Sequence, residues 1–240
     1  MPARIPRSTP TPRHTEQHFT ASETVRDIVI GMSDGLTVPF ALAAGISGAI
    51  AASHIVVTAG IAELVAGGIS MGLGGFLAAQ TESEHFSSER KREEREVEEI
   101  PAEERREVLQ ILRSYGLSDD DAERVTGSLT SDRQRWVDFM MRFELGLEEP
   151  DRKRAPVSAL TIGGSYVIGG VIPLLPYMLV PSTTTGLYIS AVLTLIALLI
   201  FGGVKGALTG VPWLRSAIQT AAIGAAAASV AFFVARLIAG

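Results

Sequence analysis

The sequence predicts an all-α integral membrane protein with five transmembrane helices and a helical domain inserted between the second and third. The 240 residues are 47% hydrophobic, although one internal segment is densely charged. The apolar residues are concentrated in five stretches of 23–25 residues, each long enough to cross a bilayer core of about 30 Å. The predicted spans are 28–50, 55–79, 157–180, 187–209 and 216–238.

The regions outside the spans define the remaining organisation. The N-terminal residues are rich in Pro, Thr and Arg, a composition typical of disorder. The apolar run that begins at Ile28 is too long for the core of a signal peptide and contains Asp34, so we interpret it as a retained helix. The predicted regions are a tail at 1–22, two spans at 23–81, a helical insert at 82–154 and three spans at 155–240.

The distribution of basic residues predicts the orientation in the membrane. Lys and Arg lie in the N-terminal tail, in the insert and around the connection at 205–215, whereas the connections at 51–54 and 181–186 contain none. With five spans, 20 of the 21 basic residues fall on one side, and only Arg236 does not. The positive-inside rule therefore places the N-terminus and the insert in the cytoplasm, with the C-terminus on the opposite side.

The insert itself is predicted to be a set of helices. Residues 81–99 continue the second span without Gly or Pro, so that helix is expected to project from the membrane. Pro101 suits the first turn of the next helix, and Ser118 resembles the start of a capping box for a third. Ser131 or Asp132 is expected to cap a fourth helix that runs through Leu147.

The insert contains 21 of the 26 acidic residues, and four of them are spaced as pairs. Glu93 and Glu96 are three residues apart on one predicted helix, and Glu104 and Glu107 are three apart on the next, so each pair shares a helix face. A helix hairpin at Pro101 can bring the two pairs together. Four carboxylates would form an oxygen-rich site for a divalent cation.

A Met-Met-x-x-Glu cluster on the last helix of the insert adds softer donors. Met140 and Met141 lie one turn before Glu144. Thioether sulfur favours transition metals such as Fe²⁺ and Mn²⁺ over Mg²⁺ and Ca²⁺. Two other interpretations stay open: the Glu-rich run can be a solvated helical face, and the methionines can pack with nearby aromatic residues in a core.

Asp34 and Glu63 lie inside membrane spans, where a charge costs about 2.5–3.5 kcal/mol on insertion scales, and such residues usually mark an ion or proton path. Met71 lies two turns beyond Glu63 on the same face and can supply a soft ligand. The alternative is that each acid is structural and pairs with a neighbouring helix. Together with the insert, these acids indicate a protein that captures a divalent metal and moves it.

Several function classes are disfavoured. The chain has no Cys, which excludes disulfides and thiolate metal sites, and no basic patch with interleaved aromatics that would indicate nucleic-acid binding. Nucleotide-binding and nucleophile-elbow motifs are absent, so we expect neither an enzyme nor a prosthetic group. The Glu-x-x-His spacing of di-iron enzymes occurs once, at Glu82 and His85, whereas those enzymes need it twice.

These motifs resemble the vacuolar iron transporter family. The resemblance covers residues 22–240 and rests on Ser33-Asp34-Gly35, on Glu63 and Met71, on the Glu-rich insert and on the three spans that follow it. In that family the insert is a cytoplasmic metal-binding domain. The positions that match its ligands are Glu93, Glu96, Glu104, Glu107, Met140, Met141 and Glu144.

The resemblance implies a function. Members export Fe²⁺, and often Mn²⁺, from the cytosol in exchange for protons, and they work as homodimers. By analogy Asp34 and Met71 would line the ion path, and Glu63 would bind metal or carry the proton. Glu23 and Asp27 would attract ions at the cytoplasmic mouth. Co²⁺ and Zn²⁺ stay open as further substrates.

Two questions remain at this point. A membrane-tethered metal buffer or sensor would explain the insert equally well, although it would not need acids inside the membrane. For location we favour a prokaryotic plasma membrane over a vacuolar membrane, while noting that the charge distribution gives the same cytoplasmic orientation in both.

Overall fold

The computed structural model describes residues 22–49 and 52–239, and every regular element in these ranges is a helix, which confirms the all-α prediction. Residues 1–21, nearly all of the predicted disordered tail, lie outside the described residues. The eight helices are α1 (Ser22–Ala49), α2 (Ser53–Glu99), α3 (Pro101–Ser114), α4 (Asp119–Leu129), α5 (Arg133–Phe143), α6 (Arg154–Leu179), α7 (Thr183–Thr209) and α8 (Trp213–Ala239).

Five of these helices, α1, α2, α6, α7 and α8, are long and apolar enough to cross a membrane, as the sequence predicts. Helix α2 has 47 residues. At 1.5 Å per residue it is about 70 Å long, more than twice the thickness of a bilayer core, so its C-terminal half extends beyond the membrane. Helix α6 is central because it packs against both α1 and α2, and α1 packs in addition against α8.

The insert folds around its own apolar core. The extension of α2 packs on α3 and α5, while α4 packs on α3 and α5. Two predicted caps are present: Asp121 N donates to Ser118 Oγ at 3.2 Å, and Arg135 N donates to Asp132 Oδ1 at 2.9 Å. The buried core side chains are Phe86, Val97, Val108, Leu112, Ala122, Trp136, Val137, Met140 and Met141.

The predicted end of the last insert helix is wrong. We expected it to run through Leu147, but α5 ends at Phe143. The chain turns at Gly146, which has a φ of +65°, a left-handed conformation that glycine adopts without steric cost. Leu147 N then donates back to Met141 O at 2.8 Å, so the chain folds over the end of α5 in the manner of a helix C-cap.

Candidate metal-binding and transport sites

Three glutamates from three helices meet in the insert. Glu93 on α2, Glu104 on α3 and Glu144 at the end of α5 each place a carboxylate oxygen within 4.8 Å of the others. The break at Ile100 between α2 and α3 returns α3 along α2, as the predicted hairpin at Pro101 requires. Because only 1% of Glu93 and 3% of Glu104 is exposed, two of these carboxylates are enclosed by protein.

The surroundings of this cluster disfavour the ionised form of its three carboxyl groups. Burial, assisted by the negative charges of Glu144 and Glu96, raises the pKa of Glu93 to about 7. Burial also raises the pKa of Glu104 to about 7, assisted by Glu107 and Glu93. The pKa of Glu144 is raised for the same reasons, burial first and then Glu107.

Two atoms of the cluster have unsatisfied hydrogen-bonding capacity. Oε2 of Glu93 and Oε2 of Glu104 are buried and have no hydrogen-bond partner among the described residues. An unpaired buried polar atom costs about 1–3 kcal/mol. A divalent cation among the three carboxylates would satisfy these oxygens and offset the mutual repulsion of the acids, so the donor set fits a hard or borderline metal ion.

The remaining predicted glutamates lie at the rim. Glu96 and Glu107 are half-buried and both act on the cluster electrostatically. Arg92 also lies there, 3.5 Å from Glu96 and 3.6 Å from Glu93. The structure therefore brings the five glutamates predicted from spacing into one acidic region and adds an arginine that the sequence analysis did not consider.

Met140 and Met141 belong to the apolar core of the insert. They are 0% and 2% exposed and are packed with Trp136 and Val137. Of the two interpretations left open by the sequence, this packing supports the core role. Their role as thioether ligands stays a prediction.

The two membrane acids, Asp34 on α1 and Glu63 on α2, lie on helices that both pack closely on α6. A Cβ at Gly35 of α1 would be 2.2 Å from the carbonyl oxygen of Tyr166, and a Cβ at Gly67 of α2 would be 2.5 Å from the Tyr166 hydroxyl. Since contacts under about 3 Å cannot be accommodated without movement, only glycine fits at either position. Tyr166 is thereby held between α1 and α2.

Tyr166 connects α6 to the predicted path. Its hydroxyl donates a hydrogen bond to Oε1 of Glu63, while Oε2 of Glu63 is buried and has no hydrogen-bond partner among the described residues. Met71, two turns along α2, packs against the apolar cluster that contains Tyr166. Asp34 is half-buried and adjoins Gly35 at the α1–α6 contact. Tyr166 thus hydrogen-bonds Glu63 directly and belongs to the cluster against which Met71 packs.

The two acids predicted at the mouth of the path are paired with an arginine. Nη2 of Arg154 lies 3.0 Å from Oδ1 of Asp27, and its Nη1 contacts the other carboxylate oxygen. Nε of Arg154 lies 2.8 Å from Glu23. Asp27 is 1% exposed, so its charge is neutralised by Arg154 rather than presented to solvent.

Sequence reasoning missed Tyr166 and Arg154. Arg154 was counted only among the basic residues of the insert that predict the cytoplasmic side. Tyr166 follows Gly163-Gly164-Ser165 in an otherwise apolar span, and a hydroxyl-bearing aromatic among small residues was the available signal. In contrast, His85 is 58% exposed and lies 3.9 Å from Glu89, so the lone Glu-x-x-His spacing leads to a surface histidine.

Comparison with known proteins gives concordant matches. A model of the VIT family matches residues 25–236. The chain is 58% identical over 225 residues to vacuolar iron transporter 1 of Arabidopsis thaliana, covering 94% of this chain and 90% of that protein. It is 54% identical to vacuolar iron transporter 2 of Oryza sativa subsp. japonica, covering 94% and 92%. It is 39% identical to protein CCC1 of Saccharomyces cerevisiae, covering 89% and 69%.

These matches correct the predicted location. A prokaryotic plasma membrane is wrong, because the matching proteins are eukaryotic and those of the plants are named as vacuolar transporters. The distribution of basic residues does not distinguish a prokaryotic plasma membrane from a vacuolar membrane. The positive-inside rule responds to the cytoplasmic side alone, which is common to both.

Proposed function

This chain belongs to the VIT family, and on that premise we propose that it exports Fe²⁺ from the cytosol across a vacuolar membrane in exchange for protons. It is a membrane transporter of metal and not an enzyme, as the sequence analysis predicts. The proposal extends to Mn²⁺ as a second substrate and to a homodimer as the working unit, both implied by the resemblance.

The observation that carries the proposal is the cluster of Glu93, Glu104 and Glu144. Three carboxylates converge within 4.8 Å, and two of them have buried oxygens without a hydrogen-bond partner in the part of the chain that the structure describes. Such a group is costly unless protons or a cation neutralise it, because like charges in a region of low dielectric repel strongly. We assign it the capture of the divalent metal on the cytoplasmic side, where the charge distribution orients the insert.

The membrane step uses Asp34, Glu63 and Met71. Metal released from the insert would bind these side chains within the helix bundle, where Met71 supplies a soft donor. Tyr166 positions one oxygen of Glu63, and the other oxygen, which has no hydrogen-bond partner within residues 22–49 and 52–239, is available for a cation or a proton. Protonation of a carboxylate from the far side removes most of its attraction for the metal, so proton entry and metal release are coupled.

Flux measurements on reconstituted protein test this path. We would compare wild type with Asp34→Asn, which removes the charge at nearly constant volume. Glu98→Gln is the matched control, because Glu98 is an exposed acid of the insert outside the path. Asp34→Asn should abolish Fe²⁺ flux into liposomes and leave metal binding by the insert unchanged, while Glu98→Gln should transport at the wild-type rate.

Two outcomes would count against the proposal. Flux at the normal rate in Asp34→Asn would show that the path does not use this carboxylate. Stoichiometric metal binding by wild type without flux under any gradient would instead favour the membrane-tethered buffer or sensor.

A further inference from the structure

Arg154 occupies a distinctive place in the fold. It is the first residue of α6 and the last residue of the predicted insert, and only 9% of it is exposed. Its guanidinium contacts Asp27 through two nitrogens and Glu23 through a third. Glu82, in the part of α2 that leaves the membrane, also acts on it electrostatically. Three carboxylates from two helices therefore surround one cation.

These contacts lie on the same side of α1 as Asp34, closer to the N-terminus of the helix. Glu23, Asp27 and Gly31 follow one another at intervals of four residues and share the face of α1 that packs on α6. Asp34 lies seven residues beyond Asp27, two turns or about 10.5 Å further along the same side of the helix. Arg154 is thus located between the cytoplasmic end of α1 and the first acid of the proposed path.

We propose that Arg154 is a tethered cation that closes the cytoplasmic end of the path, and that an entering metal must displace it from Asp27 and Glu23. The inference rests on the proposed transport function. The carboxylate oxygens that hold the guanidinium are also the ligands that a divalent metal needs, so the two cations compete for one site. The higher charge of the metal favours its binding to these carboxylates. The covalent attachment of Arg154 favours the guanidinium instead, because it gives that cation a higher local concentration.

A purely structural ion pair is the competing explanation. Removing one partner of a buried pair leaves an uncompensated charge and destabilises the protein, whatever its role in transport. The test therefore needs a readout that depends on metal competition at Asp27 and not on stability.

The chain has no Cys, so a single reporter thiol can be introduced. Ser158 is 2% exposed, lies one turn after Arg154 and also acts on the Asp27 carboxylate. In full-length Ser158→Cys protein in liposomes, we would measure the rate of modification by a cationic methanethiosulfonate reagent, with and without Mn²⁺. The rate would be compared in three backgrounds: Arg154 intact, Arg154→Gln, and Asp27→Asn with Arg154→Gln.

The proposal predicts two results together. Arg154→Gln should accelerate modification about tenfold or more, as expected when a dominant closed state loses the contact that stabilises it. Mn²⁺ should then protect the thiol in Arg154→Gln, because Asp27 is free to bind it, but not in the double variant. If Arg154→Gln does not fold, Arg154→Lys replaces it, with a smaller acceleration and the same protection that depends on Asp27.

An unchanged modification rate in both Arg154→Gln and the double variant would overturn the proposal. Faster thiol modification in Arg154→Gln, without protection by Mn²⁺ that depends on Asp27, would also overturn the proposal. Arg154 and Asp27 would then form a purely structural ion pair. Neither readout requires flux, so wild-type protein that fails to transport would contradict the proposed function and leave this test intact.

Discussion

Metal capture by the insert should weaken steeply as the pH falls. The pKa values of Glu93 and Glu104 are about 7, so at neutral pH each carboxyl is partly protonated, and a metal must displace those protons. Bound protons weaken the apparent affinity for metal. For two such groups this weakening changes by about 100-fold between about pH 8 and about pH 6, with tighter binding at the higher pH. If both glutamates had ordinary pKa values near 4.5, the apparent affinity would change by less than about 1.2-fold over the same interval.

Titration calorimetry of the full chain measures this effect. The experiment would use an Asp34→Asn background, so that the insert is the site observed, and two buffers with different ionisation enthalpies to count the protons released. Glu104→Gln should reduce the pH dependence to about tenfold or less, because one titrating group and one repulsive charge are gone. Glu98→Gln, at an exposed acid, should keep the full dependence. An affinity that changes by less than about threefold over this pH interval, without proton release, would show that metal does not displace protons from Glu93 and Glu104.

Three further predictions follow from the packing. Gly67→Ala should abolish transport, because its Cβ would displace the Tyr166 hydroxyl from Glu63. Gly74→Ala should transport normally, because among the described residues no atom outside its own helix turn lies within 4 Å of the added Cβ. Flux in liposomes compares the two variants. Leu112→Ala, in the insert core, should lower the free energy of unfolding by about 2–5 kcal/mol, and exposed Val125→Ala by less than about 0.5 kcal/mol. Denaturant titrations in a Trp213→Phe background, followed by the fluorescence of Trp136, measure both values. Met140→Leu should cost less than about 1.5 kcal/mol in the same titration, because it conserves volume. If Met140 is also a ligand, Met140→Leu should lower the affinity for Fe²⁺ relative to Mg²⁺, and unchanged selectivity would leave it a core residue only.

Much of the fold follows from local sequence signals. The five spans are apolar runs of bilayer length, and the continuity of α2 follows from the absence of Gly and Pro at 81–99. Ser118 and Asp132 cap helices through their own side chains, which spacing alone can indicate. The end of α5 was less predictable, because Leu147 is held by a turn at Gly146 and not by helix propensity.

The candidate sites were predictable only in part. Spacing on a helix face, with one hairpin, brought Glu93 and Glu104 together. No spacing rule pairs Tyr166 with Glu63, which are 103 residues apart, or Arg154 with Asp27, which are 127 apart. Both contacts depend on the docking of α6 between α1 and α2, a tertiary arrangement set by glycines whose role emerges only once the helices are packed.

The most direct test of the account is to record metal and proton movement together in liposomes that contain the purified protein. A metal-quenched dye and a pH probe would report both fluxes after Fe²⁺ is added under reducing conditions, with and without an imposed proton gradient. We expect Fe²⁺ flux that depends on the gradient, proton movement in the opposite direction, and loss of both in Asp34→Asn. Fe²⁺ flux that proceeds equally without a gradient and without proton movement would contradict proton-coupled export.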